Sequence, residues 1–139
     1  MTTLRTVTLG LLAGFAMVLP ARAAETPTEE ALGLYQCAGA MGILEGYMED
    51  PNAPITEADR TLSSSLTALE PRFQVRDGQL HALLGDDAVR AIAADLRKDM
   101  KSKIDPLRGD PQARTKVVAL YRPVLEACIV RGAALPTIP

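Results

Sequence analysis

One histidine and two cysteines are the residues of this 139-residue sequence best suited to chemistry. His81 limits the chain to one histidine-based general base or ligand, and no nearby motif supplies the other members of a catalytic triad. The run Ser63 to Ser65 lacks the G-x-S-x-G elbow of a hydrolase, so it predicts a polar helix face. We therefore expect no enzymatic activity, and we expect His81 in a short connecting helix.

Cys37 and Cys128 are the only cysteines, and neither belongs to a C-x-x-C motif. In an exported chain, such a pair is most simply one disulfide bond, with Cα atoms about 4.4–6.8 Å apart. The alternative is a reactive or metal-binding thiol pair, for which a single histidine provides too few zinc ligands. We expect the disulfide and no metal.

Cofactor chemistry would depend on His81 together with Met41, Met48 or Met100. Such ligands suit a b-type haem or Cu(I), but methionines at helical spacing usually fill cores. The sequence has no C-x-x-C-H motif for covalent haem, no M-x-x-M cluster, and no P-loop or G-x-G-x-x-G for a nucleotide. We expect no cofactor and keep a haem, copper or thiol redox carrier as a less favoured alternative.

The first 23 residues have the pattern of a secretory signal peptide. Arg5 provides the positive charge, residues 7–19 the apolar run, and Ala21-Arg22-Ala23 an A-x-A cleavage site. The apolar run is too short to span a membrane, and no cysteine directly after the cleavage site offers a lipid anchor. We expect a soluble periplasmic protein that begins at Ala24, and secretion beyond the periplasm would use the same signal.

Composition and charge exclude several classes of partner. The chain is 23% charged, 47% hydrophobic and 4% aromatic, which is typical of a globular domain. Once Arg5 and Arg22 are removed, 13 of the 15 basic residues remain against 17 acidic ones, a net charge of −4. This charge is a poor match for nucleic acid or an anionic membrane surface. The expected partner is another protein.

Apolar residues repeat at helical spacing and nowhere alternate over the length of a strand, which predicts four helices. The first has a capping pattern at Thr26, Pro27 and Glu29 and runs to about Glu49. Its apolar seam includes Cys37 and therefore places the disulfide in the core.

A second helix begins at the capping residue Thr56, and Pro71 should end it. Residues 73–75 then form a short connection, and Asp77-Gly78 marks a turn before one or two helical turns over residues 79–84.

The third helix opens at Asp86, with an inner stripe that extends from Val89 to Ile104. The fourth begins around Pro111 and ends at Gly132, and Pro123 should kink or split it. Together these segments predict an all-α fold: a small four-helix bundle-like domain over residues 24–134 with a disulfide between its first and last helices. Residues 135–139 form a short extended tail.

A strip of small residues, Ala38, Gly42 and Gly46, follows the first helix at intervals of four. One interpretation is close packing against the fourth helix, because small residues let backbones approach each other. The other is a shallow groove, flanked by Tyr35 and Tyr47, that receives a partner helix or an apolar ligand.

A second candidate surface is basic and lies on the third helix. It consists of Arg97, Lys98, Lys101 and Lys103. These side chains form either an ordinary solvated face or a docking surface for a partner.

A small exported helical chain with one disulfide is similar in size, export and cysteine content to periplasmic acid-stress chaperones. It is similar in the same respects to immunity proteins that block cell-wall-degrading toxins. Such likeness of architecture assigns no residue a role. The absence of catalytic motifs favours a non-enzymatic binding or accessory protein that acts through a helical surface. A stress-type holdase and an immunity or inhibitor protein are the alternatives.

Overall fold

The computed structural model describes residues 24–139, so the expected signal peptide lies outside the described residues. Four α-helices follow one another: α1 Pro27–Met48, α2 Glu57–Leu84, α3 Asp86–Ile104 and α4 Ala113–Ala134. A 3-10 turn, Asp105–Leu107, follows α3. Residues 24–139 contain no strand, and the prediction of an all-α fold is confirmed.

Both predicted capping boxes are present. The Thr26 hydroxyl accepts the Glu29 N–H at 3.2 Å, and the Glu29 carboxylate accepts the Thr26 N–H at 2.8 Å. Thr56 and Asp59 form the same reciprocal pair at 3.2 and 2.9 Å. These bonds satisfy N–H groups that a helix start leaves free, so α1 and α2 begin where the sequence predicted.

Helix α2 continues through Pro71, where we expected it to end. The predicted connection at residues 73–75 and the predicted turn at 77–78 are wrong, because all of these residues are helical. A proline inside a helix costs about 3 kcal/mol. Beyond it, Phe73 and Leu80 are 8% and 2% exposed, and burial of two such side chains contributes about 3–6 kcal/mol. Tertiary packing therefore outweighs the local effect of the proline.

Helix α4 also contains a proline without being split. It begins at Ala113 rather than at Pro111, because Asp110 accepts the N–H of the residue before the helix at 2.8 Å and holds a turn there. Pro123 is exposed, so its ring displaces no core side chain. The helix also extends two residues past Gly132, and the chain beyond Ala134 is not helical.

A disulfide joins α1 to α4, as the sequence predicted. Cys37 and Cys128 are 91 positions apart, and their Cα atoms lie 5.6 Å apart. Both are buried in a core that α1, α2 and α4 share, with Leu44, Leu66 and Leu125 among its least exposed members. A disulfide of this kind fits an exported protein.

Helices α1 and α2 form an antiparallel hairpin. Residues 49–56 connect them, and Arg76, late in α2, donates to the Glu30 carboxylate, near the start of α1, at 2.6 and 2.8 Å. The hydrogen bonds of this pair hold the pKa of Glu30 below its usual value and that of Arg76 above its usual value. The two helices therefore lie side by side, which is the arrangement that the candidate site requires.

Two glycines of the predicted strip do not pack against another helix. In the part of the chain that the structure describes, no atom of another helix lies within 4 Å of a Cβ built at Gly42 or Gly46. The close-packing interpretation is therefore wrong at both positions. The close approaches of α1 occur instead at Gly33, beneath the Arg131 side chain, and at Gly39, against Met100.

Candidate binding groove

An open groove of about 610 Å³ lies between α1 and α2. Its floor is apolar and comes from both helices: Leu34, Met41, Leu44, Leu66 and Phe73. A concave apolar surface of this size is typical of binding sites for ligands.

The groove stays open because α1 carries small residues beside it. Ala38 and Gly42 both line the groove and both are exposed. A methyl group and a hydrogen atom are too small to reach across to α2, so a concavity remains between the helices, and the half-buried Met41 keeps apolar surface accessible in it. Tyr35 lines the groove nearer the start of α1.

Helix α2 supplies the second wall, which the sequence analysis missed. Its polar residues that line the groove recur at intervals of four and three: Ser63, Thr67, Glu70, Gln74 and Asp77. That spacing places them on one face of a helix. The spacing of these polar residues is visible in the sequence. The helix end expected at Pro71, however, divided the residues between separate elements.

Carboxylates line both walls of the groove, and no lysine or arginine among residues 24–139 lines either wall. Glu45 belongs to α1, Glu49 directly follows it, and Glu70 and Asp77 belong to α2. Asp77 lies 3.6 Å from His81 Nε2, whereas no lysine or arginine within residues 24–139 pairs with any of the four. The rim of the groove is therefore negatively charged.

Tyr35 meets the last turns of α2 at one end of the groove. Its hydroxyl lies 2.8 Å from His81 Nε2, and the carboxylate of Asp86, at the start of α3, lies 3.6 Å from His81 Nδ1. Burial, and then the negative charge of Asp77, raise the pKa of Tyr35. His81 belongs to the long helix α2, so the prediction of a short connecting helix is wrong, and its ring links α1, α2 and α3.

The residues of the predicted groove divide between two concavities. Gly46 and Tyr47 line a second one of about 580 Å³, which α1 shares with the 50–51 loop and α4. Asp50 and Arg114 also line it and pair with each other at 3.1 Å. Tyr35 and Ala38 line the first groove, and Gly42 lies on the border of both.

Tyr47 is a core residue. It is 4% exposed, and its hydroxyl donates to the Pro54 carbonyl oxygen at 3.2 Å. A side chain this deeply buried presents little surface to a partner. Of the two tyrosines predicted to flank the groove, Tyr35 is the one that lines it.

The predicted basic face is solvent-exposed and partly paired within α3 and the turn that follows it. Lys101 lies 2.5 Å from Asp105, and Lys103 lies 2.9 Å from Asp99. Neither concavity includes any member of this face, which comprises Arg97, Lys98, Lys101 and Lys103.

The methionines considered as ligands occupy different surroundings. Met41 and Met48 line the groove, whereas Met100 packs against Gly39. Across the described residues, no group of three or more histidine, cysteine or carboxylate side chains is placed to hold a metal ion. Residues 24–139 also include no helix of the length and apolar character needed to cross a membrane.

Comparisons with known proteins found no matching family model, no matching curated protein and no matching solved structure. The groove and its chemistry are therefore the features of this chain that bear on its function.

Proposed function

We propose that this chain is an exported, non-enzymatic binding protein that holds the apolar face of a partner protein in the groove between α1 and α2. The observation that carries the proposal is the open concavity between the two helices. Leu34, Leu44 and Leu66 lie at its base and are nearly buried, while the exposed Ala38 and Gly42 and the half-buried Met41 and Met48 give it an accessible apolar lining. An apolar concavity with a polar border marks a binding surface more often than a packing fault.

Two features support export to the periplasm. The first 23 residues have the charge, apolar run and cleavage motif of a signal peptide. The disulfide between Cys37 and Cys128 suits an oxidising compartment. The periplasm of a bacterium meets both requirements.

Nile red, a neutral dye that fluoresces strongly in apolar surroundings, tests the groove directly. The protein comprising residues 24–139 should bind the dye. Ala38→Leu and Gly42→Leu should each weaken binding by about tenfold, equivalent to about 1.4 kcal/mol, because the new side chain fills part of the groove. Gly46→Leu is the matched control, since it lies on the same helix one turn away and lines only the second concavity.

Circular dichroism must first show that all three variants keep the helical fold. The proposal then requires loss of dye binding in Ala38→Leu and Gly42→Leu and retention in Gly46→Leu. Equal dye binding by the wild type and all three variants would place the apolar site elsewhere and refute the proposal.

A further inference from the structure

We infer that the ligand of the groove is a cationic amphipathic helix, in which lysine or arginine side chains flank an apolar stripe. This inference rests on the proposed function and specifies the chemistry of the partner. Three observations carry it: the length of the groove, the charges along its rim, and the lack of ion pairs between these charges and any lysine or arginine of residues 24–139.

The length and form of the groove suit a helix. Its lining on this side extends from Leu34 on α1 to Glu49, the residue that follows this helix, which corresponds to about 22 Å at a rise of 1.5 Å per residue. A helix of about four turns has the same length. Because α1 and α2 lie side by side, a helix laid between them would place one apolar stripe against the shared floor, as in other helix-in-groove complexes.

The carboxylates of the rim are spread along this length. Asp77 lies at the end marked by Tyr35, and Glu45 and Glu49 lie toward the opposite end, near the close of α1. Glu70 lies two turns before Asp77 on the other wall. A helix in the groove would therefore meet negative charge on both of its flanks.

These charges differ from carboxylates nearby on the same hairpin. Asp50 pairs with Arg114 at 3.1 Å, and Asp59 pairs with Arg122. No lysine or arginine of the described chain pairs in this way with Glu45, Glu49 or Glu70. A cationic ligand would supply the missing counter-charges, and complementary charges guide both orientation and association rate.

Helix α3 of a second copy is a poor occupant. It has five basic residues, more than any other helix within residues 24–139, but the apolar residues Val89 and Leu96 on its inner side are 3% and 8% exposed within their own domain. The basic face of α3 therefore has no apolar stripe to offer a groove on another copy. We therefore infer a ligand helix from a different protein rather than α3 of a second copy.

Two synthetic peptides of fifteen residues test the inference. Both carry the same leucine stripe, and one has lysine on its flanks where the other has glutamate. Fluorescence anisotropy with labelled peptides should show the lysine peptide binding at least about tenfold more tightly than the glutamate peptide. Its affinity should fall as salt increases, because salt screens exposed charges.

Variants of the rim separate a specific contact from general attraction to an acidic protein. Glu49→Gln combined with Glu70→Gln, one change on each wall, should weaken the lysine peptide about fivefold. Asp95→Asn combined with Glu126→Gln is the control, because both residues are exposed, lie on α3 and α4, and alter the net charge equally. The control should change the affinity by less than about twofold.

Failure of this inference is distinguishable from failure of the proposed function. Equal affinity for both peptides, abolished in each case by Gly42→Leu, would overturn the cationic preference and leave the groove as the binding site. Equal weakening by the rim pair and the control pair would also overturn it. Nile red binding without binding of either peptide would overturn a helical ligand. Failure of the dye and both peptides to bind would overturn the proposed function itself.

Discussion

Alanine in place of glycine should change stability in opposite directions at two kinds of helical position. Inside a helix, alanine is more favourable than glycine by about 0.5–1 kcal/mol. At Gly42 and Gly46 the added methyl group meets no atom of another helix within 4 Å. Gly42→Ala and Gly46→Ala should therefore each raise the free energy of unfolding by about 0.5–1 kcal/mol.

Gly132 should respond in the opposite way. A Cβ at this position would lie 2.8 Å from Phe73 Cζ and 3.0 Å from Leu69 Cδ1. Phe73 is 8% exposed and Gly132 is buried, so the ring has little room to move aside. Overpacking by one methyl group costs about 1–3 kcal/mol, which exceeds the helix-propensity gain in the last turn of α4. Gly132→Ala should therefore lower the free energy of unfolding by about 0.5–2 kcal/mol.

Urea unfolding followed by circular dichroism measures these changes, and thermal unfolding provides a second reading. For a domain of this size, 1 kcal/mol corresponds to about 4 °C in Tm. Gly42→Ala and Gly46→Ala should raise Tm by about 2–4 °C, and Gly132→Ala should lower it by about 2–8 °C. A Gly132→Ala protein as stable as the wild type would refute the account of packing at α4. A clear loss of stability in Gly42→Ala would refute the account of an open groove.

Three further predictions concern the disulfide, acid stability and the core tyrosine. Reduction of the Cys37–Cys128 bond should lower the free energy of unfolding by about 4.6 kcal/mol, from the loop entropy of a 91-residue separation, and a loss below about 2 kcal/mol in urea titrations would contradict this. Burial raises the pKa of Asp59, but hydrogen bonds from its helix cap and from Arg122 outweigh burial and hold that pKa below its usual value. The stability that this carboxylate contributes is therefore present at neutral pH and lost as the pH falls below about 4, so Asp59→Asn should flatten the acid limb of the stability profile. An acid limb unchanged by that substitution would show that another group controls it. Tyr47→Ala should cost about 3–5 kcal/mol and Tyr47→Phe only about 1 kcal/mol, and calorimetry that finds Tyr47→Ala neutral would contradict the core position.

Local chemistry made the starts of α1 and α2 and the disulfide predictable. The capping boxes at Thr26 and Thr56 act over three residues, so the sequence shows both partners of each bond directly. Cys37 falls on the apolar seam of α1, and the only available partner is Cys128. The caps depend on residue type and short spacing, and the disulfide depends on there being only one possible pair of cysteines, so neither requires knowledge of how the helices pack.

Prolines show where local rules were insufficient. Pro71 predicted the end of a helix, yet Phe73 and Leu80 beyond it are buried in the shared core. The prediction included the cost of a proline inside a helix, about 3 kcal/mol, but not the favourable burial of the apolar side chains beyond it, which offsets that cost. This error also hid the polar wall of α2, because Glu70 and Asp77 were assigned to different elements when they share one helical face.

The sequence by itself determined that α1 carries a strip of small residues and that the chain forms four helices closed by one disulfide. Only the tertiary structure decided which small residues are covered: Gly39 meets Met100 and Gly132 meets Phe73, while Gly42 faces open space. Helical periodicity and capping are properties of a few neighbouring residues. A groove is a volume between two helices, and its existence depends on their relative placement, which side chains distant in sequence set together.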